Sequence, residues 1–188
     1  MRVISGKFRS KKILDPKDKT TRPLRDYVKE SIFNIIEHTH DLNIELKNSV
    51  ILDFFSGTGS FGIECISRGA SKVYFFENYK SSLQVLKKNI ELLKISYFTR
   101  VIEKSSYDFD LNNLENNKVD IVFLDPPFKE NDYDIIIQKI IKFKILKKDS
   151  VIIIHRNKKN KDRFNKNLKI VKQKTYGISE ISFFKLVY

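Results

Sequence analysis

The chain predicts an α/β fold: a mostly parallel, seven-stranded sheet with helices on both faces and a basic N-terminal extension. Three observations carry this expectation. Short apolar runs alternate with segments of helical period along most of the chain. The run 50–55 feeds a glycine-rich turn and then an apolar-spaced segment, which reads as strand, loop, helix. The run 119–124 ends in Asp125-Pro126-Pro127-Phe128, where two prolines remove backbone donors and hold the chain extended as a strand finishes.

The elements follow in order. Residues 1–20 read as a basic arm or hairpin, turning near Gly6 and Asp15-Pro16. Pro23 suits the first turn of a helix whose stripe is Val28, Ile32, Ile35 and Ile36. Core strands are expected at 50–55, 72–76, 100–103, 119–124 and 150–154. Ser81-Ser82-Leu83-Gln84 offers a capping box, and Leu83, Leu86, Ile90 and Leu93 form one helical face behind it. Tyr133, Ile136, Ile137, Ile140 and Ile141 give another helix. Segments 168–173 and 179–187 flank Gly177 and close the sheet as an antiparallel pair. The stretches 112–117 and 156–167 read as surface loops. In such a sheet ligands bind beyond the carboxyl ends of the strands, where Asp53, Glu77, Ser105 and Asp125 fall.

At 188 residues, one domain spanning 1–188 is expected, with enough chain for a sizeable core. The formal charge is +13 and the pI near 9.7, which favours a polyanionic partner. Abundant lysine, asparagine and isoleucine weaken that inference, so placement says more than the total. Residues 1–30 hold ten Lys or Arg against four Asp or Glu. Arg2, Lys7, Arg9, Lys11, Lys12, Arg22 and Arg25 precede the glycine loop, and Arg156, Lys158, Lys159, Lys161, Arg163 and Lys166 form a second cluster. The single cysteine, Cys65, allows no internal disulfide and reads as a small core residue. Three scattered histidines make a Cys/His metal site unexpected. With no apolar signal core and no apolar stretch approaching about 20 residues, a cytoplasmic protein is expected.

Gly57, Gly59 and Gly62 show G-x-G-x-x-G spacing, which alone is a weak signal. Glu77 ends the next strand, twenty residues beyond Gly57, where an acid accepts hydrogen bonds from ribose hydroxyls. Nicotinamide and methionine-derived nucleosides both carry a ribose, so Glu77 does not choose between them. Asp53, ahead of the glycines, would repel a pyrophosphate but tolerate the cationic amino-acid end of S-adenosylmethionine.

Asp53-Phe54-Phe55-Ser56-Gly57-Thr58-Gly59, Glu77 and Asp125-Pro126-Pro127-Phe128 resemble the cofactor and catalytic motifs of class I methyltransferases that modify exocyclic amines. The opening 2–9 and the segment 21–34 narrow the resemblance to the RsmD family, which methylates N2 of a guanine in bacterial 16S ribosomal RNA. The resemblance covers nearly the whole chain and implies a Rossmann-like class I methyltransferase fold using S-adenosylmethionine and no metal. It implies cofactor contacts from Asp53, Phe54, Ser56, the Gly57-Thr58-Gly59 backbone, Glu77 and Asn78. Ser105-Ser106 stands where many relatives have an acidic or amide residue and then a small one, which leaves the adenine contact open. Asp125, Pro126, Pro127 and Phe128 would form the catalytic motif. Asp125 and the Pro126 carbonyl would orient the target amine, and Phe128 would stack on an unstacked or flipped base. Arg2, Lys7, Arg9, Lys11, Lys12, Arg22, Arg25 and Lys29 are candidate RNA contacts. The implied partner is 16S ribosomal RNA or the assembling small ribosomal subunit, met by a monomer. Another RNA or DNA amine methyltransferase, a nicotinamide oxidoreductase and a noncatalytic RNA-binding assembly factor are the competing readings.

Overall fold

The computed structural model describes residues 1–16, 18, 23–109, 114, 118–127, 132–160 and 166–187. Strands β1 (Val50–Phe54), β2 (Lys72–Phe76), β3 (Thr99–Ile102), β4 (Val119–Leu124), β5 (Leu146–Asn157), β6 (Leu168–Tyr176) and β7 (Ser179–Leu186) form one sheet in the order β3-β2-β1-β4-β5-β7-β6. The five strands from β3 to β5 are parallel to one another, and β7 is antiparallel to both β5 and β6. The order reverses between β1 and β4, so their carboxyl ends flank the crevice where such sheets bind ligands.

Strand alternation divides the core into two layers. Ile51, Val73, Phe75, Ile121, Phe123, Val151 and Ile153 face α1 (Asp26–His38), α2 (Ser60–Ser67) and α3 (Lys80–Leu92). Leu52, Phe54, Tyr74, Phe76, Val122, Leu124, Ile152 and Ile154 face α4 (Asp134–Phe143). On the first side Phe33 stacks on Phe61, and Phe61 stacks on Phe123 with centroids 4.0 Å apart. Gly62 is needed for this close packing, because a Cβ there would sit 2.3 Å from the Phe75 ring.

Several local expectations are corrected. α1 begins at Asp26 after an extended Arg25, so Pro23 lies ahead of the helix. α3 begins at Lys80, without a side-chain cap at Tyr79, rather than at a Ser81 capping box. β1 stops at Phe54 because Phe55 turns to φ 57. β5 starts at Leu146 and runs to Asn157, well beyond 150–154. Its one arginine, Arg156, is buried, ion-paired with Glu180 and donating to the Tyr133 hydroxyl at 3.3 Å, so it is not a surface-loop cation.

The N-terminal residues form a docked hairpin. The Val3 amide donates to the Lys11 carbonyl and the Ser10 amide to the Val3 carbonyl, both at 2.9 Å, and Val3 and Ile13 are buried. The buried Glu64 carboxylate of α2 accepts from the Ile4 and Ser5 amides at 2.7 and 2.9 Å. Lys29 completes this joint. Its ammonium, fully buried, donates to the Arg2 carbonyl (2.7 Å) and the Ser60 hydroxyl (3.1 Å), and lies 3.8 Å from Glu64. Burial pushes its pKa down, with Glu64 and Asp26 opposing. Lys29 is therefore removed from the RNA-contact set.

Candidate functional site

A cavity of about 660 Å³ opens at the carboxyl ends of β1, β2 and β4. That size suits a nucleoside-sized ligand. Asp53, Ser56, Gly57, Thr58, Glu77, Asn78, Ser105, Ser106, Asp125, Pro126 and Pro127 all line it. Phe128 and Arg22 lie outside the described residues.

Two cofactor expectations are corrected. Phe54 follows Asp53 on a strand, so its side chain takes the opposite face. There it is fully buried, stacked on Phe76 and tilted against Phe109. Phe55 lines the cavity in its place, set by its left-handed backbone and an amide that donates to Ser106 Oγ at 3.2 Å. Gly59 does not line the cavity; at φ 83 it ends the turn beneath Leu86, whose Cδ1 would lie 2.5 Å from an added Cβ.

The acids are held by backbone amides. Glu77 Oε2 accepts from the Gly57 amide at 2.7 Å, and Oε1 accepts from the Asn78 and Tyr79 amides at 2.9 and 2.7 Å. Burial raises its pKa, and these three bonds lower it in part. Asp53 Oδ2 accepts from the Gly62 amide at 3.1 Å, and its carboxylate is almost wholly buried. Its pKa stands well above the ordinary carboxylate range: burial raises it most, the Gly62 bond opposes, and Asp125 and Glu77 add repulsion.

This donor set fits S-adenosylmethionine and not a dinucleotide. Asp53, Glu77 and Asp125 line the cavity, and no Lys or Arg is among its described lining residues. The Gly57 and Gly62 amides, of the kind that would cradle a pyrophosphate, already serve Glu77 and Asp53. A ligand carrying a sulfonium and an ammonium meets compensating charge here, whereas a pyrophosphate meets repulsion.

One residue escaped the sequence reading. His155 Nδ1 lies 2.8 Å from Asp125 Oδ1, and the imidazole is buried. The signal was the register of two adjacent parallel strands: Leu124 pairs with Ile154, which brings the next residues, Asp125 and His155, side by side. Leu24, Phe61, Tyr79 and Tyr107 also line the cavity without having been singled out. Arg2, Lys7, Arg9, Lys11, Lys12 and Arg25 are exposed. Among the described residues no His/Cys/Asp/Glu group could hold a metal, and no helix is long and apolar enough to cross a membrane.

A family model described as "Conserved hypothetical protein 95" matches residues 1–185. The Haemophilus influenzae protein named Ribosomal RNA small subunit methyltransferase D is 36% identical over 180 residues, covering 95% of this chain and 90% of that protein. A Buchnera aphidicola protein of the same name is 35% identical over 154 residues, covering 82% and 74%. Among solved structures, a Haemophilus influenzae methylase superposes with a TM-score of 0.76 at 34% identity, covering 100% of this chain and 98% of that one. An Escherichia coli methyltransferase superposes with a TM-score of 0.81, at 24% identity over 99% and 97%, and supports the fold. Sheet order, carboxylate-lined cavity and sequence similarity agree: the chain belongs to the RsmD family of class I methyltransferases, which use S-adenosylmethionine.

Proposed function

We propose that the chain methylates the exocyclic N2 amine of a guanine in bacterial 16S ribosomal RNA, acting in the cytoplasm as a single-domain monomer. The observation that carries the reading is one cavity lined by Glu77, Asp53 and Asp125, the last followed by two prolines. The relatives named for small-subunit ribosomal RNA methylation supply the substrate class.

Bound S-adenosylmethionine supplies an electrophilic methyl on a sulfonium. Glu77 would accept from the ribose, Asp53 would lie toward the methionine end, and Asn78, Tyr79 and Ser105-Ser106 would border the adenine. A guanine N2 amine is a poor nucleophile because its lone pair is delocalised into the ring. Asp125 and the Pro126 carbonyl accept its two N–H groups and turn the lone pair out of the ring plane. His155 holds one Asp125 oxygen and leaves the other for the amine. Both prolines lack an amide N–H, so the motif offers acceptors and no competing backbone donor. Positioning supplies much of the acceleration. The amine proton would become acidic only as the N–C bond forms and the S–C bond breaks, and Asp125 would pass it toward water.

The test is methyl transfer to unmodified 16S ribosomal RNA, free and in small subunits, followed by mass mapping. One N2-methylguanine is expected. A methylated adenine would move the enzyme to another amine substrate. No transfer to either RNA form, with S-adenosylmethionine bound, would refute the ribosomal RNA reading.

A further inference from the structure

Strand β6 is antiparallel to β7, and β7 to β5, so β6 runs parallel to β5 and delivers Tyr176 to the edge of the sheet that carries the cavity. Helix α1 starts at the same edge. Pro23 and Leu24 line the cavity, and Arg25 to Tyr27 follow directly. The Lys29–Ser60 bond pins α1 to the start of α2, another cavity wall. Tyr27 therefore stands beside the cavity mouth.

Tyr27 is 48% exposed although large and aromatic. Tyr176 meets it at a 6.0 Å centroid distance and 59°, and is itself anchored by a hydrogen bond between its hydroxyl and Ser31 of α1. Cations surround the pair. Arg25 Nη1 reaches the Tyr27 hydroxyl at 3.5 Å, and the exposed Lys174 ammonium lies 5.8 Å from the Tyr176 ring centre. Arg2, 70% exposed, sits 3.7 Å from Asp26 in the same helical turn. Asp26 is thus engaged by Arg2, and by Lys29 at 3.9 Å, while Glu30 is an exposed acid of the next turn.

We infer that Tyr27, edged by Tyr176 and flanked by Arg25 and Lys174, is a stacking platform for an unpaired RNA nucleotide next to the target base. The inference rests on the ribosomal RNA reading above and adds the surface that grips the flanking strand. An exposed ring held by a second ring offers a π-face to any base, and the cations meet phosphates on either side. A flipped guanine requires its neighbour to lose a stacking partner, and a platform at the mouth replaces that contact. The lysine-rich β6 edge disfavours an apolar protein partner at the same place.

The test uses the full chain, S-adenosylmethionine and in vitro transcribed 16S ribosomal RNA. Tyr27→Ala is expected to weaken RNA affinity and raise the RNA KM at least about fivefold. kcat at saturating RNA, S-adenosylmethionine affinity and melting temperature should hold. Tyr27→Phe should retain affinity, which separates stacking from the hydroxyl. Lys174→Glu should shallow the salt slope by about 0.7 or more, and Lys148→Glu, at the amino end of β5 and so at the end of the sheet away from the cavity, serves as the control. Wild-type RNA affinity and salt slope in Tyr27→Ala and Lys174→Glu would overturn the platform while leaving methyl transfer intact. Failure of the wild-type chain to methylate this RNA both free and in small subunits would instead sink the function proposed above.

Discussion

His155 and Asp125, thirty residues apart in sequence, meet through Nδ1 and Oδ1 at 2.8 Å. The imidazole is 3% exposed and the carboxylate 20%. One oxygen of Asp125 is thereby held from inside the sheet, and the residue as a whole opens onto the cavity. A hydrogen bond to a charged group contributes about 1.5–3 kcal/mol. His155→Leu should lower single-turnover methyl transfer at least about tenfold, with S-adenosylmethionine affinity nearly unchanged. His155→Asn, which can still donate, should recover part of the rate. Equal rates for wild type and folded His155→Leu would show that the contact does not position Asp125.

Asp125→Ala removes the acceptor itself. Transfer should fall at least about a hundredfold, or roughly 2.7 kcal/mol of transition-state stabilisation. Cofactor affinity should change little, because Asp53 stands on β1 and Glu77 directly follows β2, away from the end of β4. The measurement is single-turnover transfer at saturating cofactor and RNA, with folding checked by thermal melting. A variant turning over near the wild-type rate would leave the Asp-Pro-Pro motif without a catalytic role.

The sheet was legible because its buried strands are continuous apolar runs, as at Val119–Leu124 and Lys72–Phe76. The start of β5 was not, since the exposed Lys147, Lys148 and Asp149 interrupt the apolar run that marks the strand at 150–154. Most cavity residues were legible because glycines and acids at strand ends have few other uses. Phe54 was misplaced by following the motif as a block and ignoring alternation; Asp53 pairs with Phe75 and Phe123 in one layer, so the next residue must enter the other. Lys29 was misread as a surface cation although it lies in the buried set Val28, Ile32, Phe33 and Ile36 of α1. Its partner Glu64 is thirty-five residues away, and no local pattern announces that pair.

Glu77 tests the cofactor fit. A carboxylate offers about four acceptor sites, and three already take backbone amides. Ribose binding therefore uses the remaining site or displaces the Gly57 amide. Glu77→Ala should weaken S-adenosylmethionine binding at least about tenfold and also loosen the loop at Gly57. Calorimetry measures the first effect and amide exchange at Gly57 the second. Unchanged affinity in a folded variant would remove Glu77 from the ribose site.

The exposed cations of the N-terminal hairpin make a separate prediction. Reversing Arg9, Lys11 and Lys12 to Glu should weaken RNA binding and flatten its salt dependence, because fewer phosphates are neutralised. The hairpin is held by Glu64, Ser67 and buried Val3 and Ile13, none of which changes, so melting and cofactor affinity should hold. An unaltered salt slope in a filter-binding titration would mark these residues as solvated surface.

Asp53 links pH to both stability and cofactor binding. Burial, reinforced by Asp125 and Glu77, raises its pKa well above the ordinary carboxylate range. The folded protein therefore binds more protons than the unfolded chain across the interval between the unfolded pKa and the raised one. Stability from this group is fully present below the ordinary carboxylate pKa and declines as pH rises through the raised value. Asp53→Asn removes that decline. Its amide oxygen can still accept from the Gly62 N–H, so the turn persists. The free variant should melt higher than wild type at neutral and alkaline pH, with the gap shrinking on acidification. Cofactor affinity should move the other way. A sulfonium and an ammonium favour the ionised carboxylate, so wild-type binding should tighten as pH rises and release protons, while Asp53→Asn should bind more weakly and with a flatter pH dependence. Calorimetry in buffers of different ionisation enthalpy counts the released protons. An identical proton count and pH dependence in wild type and Asp53→Asn would detach Asp53 from the cationic end of the cofactor, and an unchanged melting difference across pH would remove the buried charge as the cause.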